Sequence, residues 1–288
     1  MRMPVNILFV TALLITLSHP VDAAVVQIGH YGLGEDGTVG NAVDRYSPLN
    51  DNIGTNNEIA NVNGSGTPSI ITSGLAAPGS TAALSKTGGM YWFNGSSSTS
   101  FNYGLTNNFA IDLWVQPNAT AGTYLGTSAN DSSQGLVFWA TNTSASGTSL
   151  GGNTFSAGNN MLLIKIGTGS IGFLGAGTST YTSGAWYRIT VVDLNNTLYY
   201  YLDGALQDTA AVSANSIKLN DVRLGSGPGG SSGGDAAYDE MSIWQFDGSD
   251  SLASITSAIF PTVTVPTPSA LPAGLALLAI VSIHRRRA

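Results

Sequence analysis

The sequence contains no cysteine, and Asp, Glu, Lys and Arg together make up only 9% of its 288 residues. Without thiols it has no disulfides, no thiolate metal ligands and no cysteine nucleophile, so packing alone must stabilise any fold. Histidine is almost as scarce. Of His19, His30 and His284, only His30 lies away from the two ends, which rules out a multi-histidine metal site and leaves one residue for any Ser-His-Asp arrangement. In the body His30 reads as a strand residue beside Tyr31. Glutamate is limited to Glu35, Glu58 and Glu240, none followed two positions later by aspartate. The formal charge is −7, and four of the ten cations, Arg2, Arg285, Arg286 and Arg287, sit at the ends. A body this acidic is a poor nucleic-acid binder.

What the chain does have is glycine, 36 residues of it, with a background of Asn, Ser and Thr and a hydrophobic content of 43% that suffices for a core. This composition favours strands and turns over helices.

The two ends read as addresses. Arg2 precedes an apolar run from Val5 to Leu17, and Val21-Asp22-Ala23 fits cleavage after Ala23, so residues 1–23 are expected to be a secretory signal peptide. At the other end Val265-Pro266-Thr267-Pro268-Ser269 leads into the uncharged stretch Ala270 to Ile283, followed by Arg285, Arg286 and Arg287. The prolines break the chain leaving the body, the apolar stretch (about 270–283) partitions into lipid as a membrane helix, and the arginines stay cytoplasmic by the positive-inside rule. The body is then expected outside the cytoplasm. This tail resembles the PEP-CTERM sorting signal of Gram-negative bacteria, which implies an exosortase-type sorting enzyme as partner and a cell-surface or matrix destination. The acidic residue usual between the prolines is replaced here by Thr267.

Between the ends lie short alternating runs separated by Gly, Asn and Ser. The clearest is Phe109 to Gln116, ended by Pro117, with Phe109, Ile111, Leu113 and Val115 facing the core and Asp112 and Trp114 facing away. Tyr187 to Leu194, Asn195-Asn196, Leu198 to Leu202 and Asp203-Gly204 read as a meander of two hairpins, the second with a type I′ turn. Val222 to Gly225 and Ala237 to Phe246 supply further strands. These segments, with Trp186-Tyr187-Arg188-Ile189, Tyr201-Leu202-Asp203-Gly204 and Tyr238 to Trp244, resemble a concanavalin A-like, laminin G-like jelly roll. The resemblance implies an all-β antiparallel sandwich over residues 24–250, followed by a linker at 251–264 and the sorting tail at 265–288.

Several motifs dissolve on inspection. Gly32-Leu33-Gly34-Glu35-Asp36-Gly37 has dinucleotide-binding spacing, but its acids stand where a pyrophosphate would lie and no helix pattern follows. Gly147 to Gly151 and Gly229 to Gly233 match a nucleophile elbow within low-complexity loops. Two candidates remain. Trp114, with Asp112 on the same face, is the residue expected to stack on a sugar ring. Asp239 and Glu240, joined by Asp235, Glu35 or Asp36 if the ends of the sandwich meet, form a candidate calcium site. Alternation places Asp239 on the side of Met241 and Ile243. The expected function is non-catalytic glycan binding or association with exopolysaccharide; a glycoside hydrolase of the same fold and a ligand-free structural protein are the alternatives.

Overall fold

A computed structural model describes residues 25–33, 61–63, 66–72, 75–88, 91–93, 103–118, 122–128, 136–140, 147–148, 150, 152, 154–155, 162–166, 172–175, 179–214, 217, 219, 221–225 and 235–261. Their strands, in chain order, are β1 (Val26–Tyr31), β2 (Asn61–Asn63), β3 (Gly66–Thr72), β4 (Ala82–Gly88), β5 (Tyr91–Phe93), β6 (Phe109–Pro117), β7 (Gly122–Ser128), β8 (Leu136–Ala140), β9 (Gly147–Thr148), β10 (Thr154–Phe155), β11 (Leu162–Ile166), β12 (Gly172–Leu174), β13 (Tyr187–Leu194), β14 (Thr197–Leu202), β15 (Ala205–Ala211), β16 (Asp221–Leu224) and β17 (Ala236–Gln245). All the pairings among them are antiparallel.

One sheet runs β15-β14-β13-β6-β17-β4-β3, with β1 also on β17; a second runs β12-β11-β8-β7-β16-β5-β2, and β9 and β10 pair as a separate two-stranded ribbon. On the edge away from β6, the long strand β17 serves two neighbours. Its first part pairs with β4 and its later part with β1. The two sheets form a jelly-roll-like sandwich, and the main core lies between them: Phe109, Ile111, Leu113 and Val115 from β6 join one cluster with Leu136, Phe138, Leu162, Ile164 and Leu224 from the opposite sheet. The alternation expected of β6 is therefore realised, and each such buried side chain contributes about 1.5–3 kcal/mol. Both expected hairpin turns carry left-handed residues, Asn195 and Asn196 (φ 51 and 62) and Asp203 and Gly204 (φ 52 and 77). That conformation lets a two-residue loop follow the strand twist.

Two expectations are corrected. Asp239 does not share the side of Met241 and Ile243. A bulge between Asp239 and Ser242, with Glu240 at φ 44, inserts one residue and reverses the alternation. Tyr238, Met241 and Ile243 all reach the core, while Asp239 stands opposite Trp114 on the outer face. The stretch 251–264, expected as a linker, begins with a helix, α1 (Leu252–Ile259), whose first turn is capped by the Ser251 hydroxyl accepting from the Ser254 amide. Ile255 and Ile259 of α1 pack with Ala110, Val192, Leu194, Tyr201 and Phe246 in a second apolar cluster on the outer face of the first sheet.

Among the described residues no helix is long and apolar enough to cross a membrane. The expected signal segment, Glu35, Asp36 and the tail residues Val265, Pro266, Thr267, Pro268, Arg285, Arg286 and Arg287 lie outside the described residues.

Candidate functional site

Register decides what surrounds Trp114. On one side β13 sets Arg188 opposite Trp114 and Thr190 opposite Asp112; on the other, β17 sets Asp239 opposite Trp114. Residues paired across antiparallel strands project from the same face, so these side chains share the outer surface of the first sheet.

Asp112 lies beneath that surface. Arg188 Nε donates to its Oδ1 and Oδ2 at 2.9 and 3.0 Å, Arg188 Nη2 to Oδ2 at 2.7 Å, and the Thr190 hydroxyl to Oδ1 at 2.5 Å. Burial is the largest influence on its carboxyl and pushes it upward, while the guanidinium and the Thr190 hydroxyl pull it back. The residue expected to touch a ligand is a support instead. It fixes Arg188, whose Nη2 also donates to the Ile259 carbonyl at 2.7 Å at the C-terminal end of α1. The guanidinium carbon lies 4.8 Å from the centroid of the Phe260 ring, and that ring packs tilted against Tyr201 at 5.4 Å.

Trp114, by contrast, is half-buried and lines a cleft of about 410 Å³ with Pro78, Trp186, Arg188, Asp203, Gly204, Phe260 and Pro261. Trp186 is held by its indole N–H, which donates to the Leu75 carbonyl at 2.9 Å. Asp203, in the hairpin turn, is fixed twice to β13. Its amide donates to the Arg188 carbonyl and its Oδ1 accepts from the Arg188 amide, both at 2.8 Å. Among the described residues Arg188 Nη1 meets no acceptor and Asp203 Oδ2 no donor, which leaves one donor and one acceptor in a cleft otherwise walled by rings and prolines. A mostly apolar concavity with a few placed polar groups is the usual form of a small-ligand site.

The carboxylates of the candidate calcium site are engaged separately. Asp239 is fully buried and its Oδ2 accepts from the Ala77 amide at 3.1 Å. Glu240, on the bulge, pairs with His30 Nε2 at 3.0 Å, and His30 Nδ1 lies 3.0 Å from the Ser242 hydroxyl. Asp235 acts on buried Lys86, opposing the burial that lowers that ammonium to about 8. Among the described residues no three His, Cys, Asp or Glu side chains gather to hold a metal.

Of the cleft lining only Trp114 was a candidate; its partners Trp186, Arg188, Asp203 and Phe260 were not. Arg188 carried a signal: it alternates with Trp186 and Thr190 on one strand face, and a cation there needs a carboxylate on a neighbouring strand. Phe260 carried none.

The two packed sheets, with an aromatic cleft on the outer face of one, define a β-sandwich. The model described as the concanavalin A-like lectin/glucanases superfamily, in its laminin G-like form, matches residues 93–247, more than half of the chain, and the chain belongs to that family. No curated protein sequence matches it. Among solved structures it is similar to domain 4 of AbnA, a GH43 extracellular arabinanase from Geobacillus stearothermophilus in complex with arabinotriose, at 16% identity over 82% of this chain and 98% of that one, TM-score 0.47. It is also similar to the binding domain of botulinum neurotoxin DC in complex with SialylT (11% identity, 81% and 50% covered, TM-score 0.43) and to the receptor-binding domain of the mosaic serotype C/D toxin (12%, 81% and 49%, 0.41). The chain spans about half the length of these toxin domains.

Proposed function

We propose that this is an exported, surface-sorted protein that binds glycan without transforming it, and that the cleft at Trp114 is where the sugar sits. The observation that carries the reading is the cleft's composition. Trp114, Trp186 and Phe260 offer ring faces to the apolar side of a sugar, while Arg188 Nη1 and Asp203 Oδ2 remain to bond its hydroxyls. Membership of a lectin and glucanase superfamily agrees with a carbohydrate ligand. Glycoside hydrolysis calls for two carboxyl groups flanking the scissile bond. Among the described residues the cleft lining carries one, Asp203, and Asp112 is held under Arg188, so binding is the favoured member of that pair.

Export rests on the signal segment at 1–23 and on the tail at 265–288, whose apolar stretch and terminal arginines support membrane attachment and whose prolines support recognition by an exosortase-type enzyme. Deleting Val265 to Ala288 should move the protein out of the membrane fraction; an unchanged distribution contradicts the anchor. Purified full-length chain on a glycan array, with calcium and with chelator, should give signals on a subset of glycans and release no reducing sugar from them. Uniformly flat responses contradict the binding reading, sugar release replaces it with hydrolysis, and loss of signal in chelator assigns a cation to the site.

A further inference from the structure

The cleft at Trp114 does not end at Phe260. A second concavity of about 650 Å³, lined by Tyr201, Gly204, Leu252, Ala253, Thr256, Ser257 and Phe260, adjoins it, and Phe260 and Gly204 line both. Gly204 lies at the edge the two share. At φ 77 it takes a conformation that glycine adopts without strain, and a Cβ there would project toward the Phe260 ring, meeting Cδ1 at 4.0 Å.

Charge is the second observation. Among the described residues the only cation in either lining is Arg188, and it is neutralised by its two-toothed contact with Asp112, whose carboxyl is nearly buried. Asp203 adds a carboxylate to the first cleft, and among the described residues no charged side chain lines the second. The net charge of −7 adds to the repulsion of an anion. A uronate, sialate or phosphorylated sugar entering here would meet Asp203 with no unpaired cation among the described residues to offset it.

Resting on the glycan reading above, we infer that the ligand is a neutral oligosaccharide laid across Phe260, with one part between Trp114 and Trp186 and the next over α1. Hydroxyls in the second cleft find the exposed Ser257 side chain, and the ring faces in the first supply the apolar contact. Helix α1 is thereby part of the binding surface as well as a cover for the sheet.

The test is a tryptophan-fluorescence titration of the full-length chain in detergent with gluco-, manno- and xylo-oligosaccharides of increasing length, alongside oligogalacturonates of matched length. Affinity for the recognised neutral series should rise by about tenfold or more between one unit and the length that fills both clefts, then level off, and the uronates should bind at least about tenfold more weakly. Ala253→Trp, on the exposed side of α1, and separately Ser257→Trp should remove that gain with length while circular dichroism and the thermal midpoint stay at the wild-type values. Equal or tighter binding of uronates overturns the neutral-ligand inference and leaves the glycan reading in place. A length dependence that survives both substitutions overturns the two-cleft arrangement. Absence of binding to every sugar overturns the glycan reading itself.

Discussion

Replacing Asp112 by asparagine keeps the shape of the side chain and removes its charge, which isolates what the Arg188 pair does. The wild-type carboxylate accepts three bonds from one guanidinium and a fourth from Thr190. Its side chain is 5% exposed, and that of Arg188 is 22% exposed. Breaking a fully buried pair by removing one partner costs about 3–5 kcal/mol, because the remaining charge is left without compensation. Water reaches part of Arg188, so the lower end applies: Asp112→Asn should lose about 3 kcal/mol, read as a shift in the urea midpoint followed by tryptophan fluorescence at neutral pH. Removing both charges together, as Asp112→Leu with Arg188→Met, should recover most of that loss, since a well-packed apolar pair is often as stable as the ionic one. An Asp112→Asn stability within about 1 kcal/mol of wild type, or a double variant no more stable than the single, would refute this role for the pair.

Burial raises the Asp193 carboxyl from 3.8 to about 7, with a backbone bond at Asn196 pulling the other way. The native state therefore holds a proton between these values that the unfolded chain releases, and stability falls as pH rises through that window, by up to about 4 kcal/mol; Asp193→Asn should flatten the fall and be the more stable form at pH 8 in urea titrations. Gly175 sits at φ 96, and a Cβ there would lie 2.3 Å from Cε1 of the Tyr200 ring, so Gly175→Ala should lower stability by about 2–3 kcal/mol in thermal melts. Ile259→Ala keeps the carbonyl that Arg188 uses but opens the cluster under α1, and should cost about 2–3 kcal/mol by the same measure.

Local signals carried a good part of this structure. The alternation of Phe109, Ile111, Leu113 and Val115 was readable because period two on a half-buried strand is a direct imprint of the pleat, and Asp203-Gly204 was readable because few residue pairs accept left-handed backbone twice. The bulge at Glu240 was not. Nothing in Tyr238-Asp239-Glu240-Met241 marks an inserted residue, and one insertion reverses the face of everything before it, including Asp239. Helix α1 was half-legible: Leu252, Ile255 and Ile259 keep helical spacing after a capping Ser251, but the segment is too short and too poor in charge to stand out. Trp114 was legible because its strand already has a complete core face on the opposite side, and Trp114 lines the cleft. Its partners depend on strand register and on α1 folding back, which bring together residues from 114, 186, 203 and 260, and no local pattern encodes such distances.

The most direct test of the central claim is the affinity of the full-length chain for its best array glycan, measured by calorimetry for wild type, Trp114→Ala and Trp186→Ala. Each substitution should weaken binding by about tenfold or more, with the urea midpoint showing that the sandwich is still folded. Wild-type affinity in both folded variants would contradict the cleft as the sugar site.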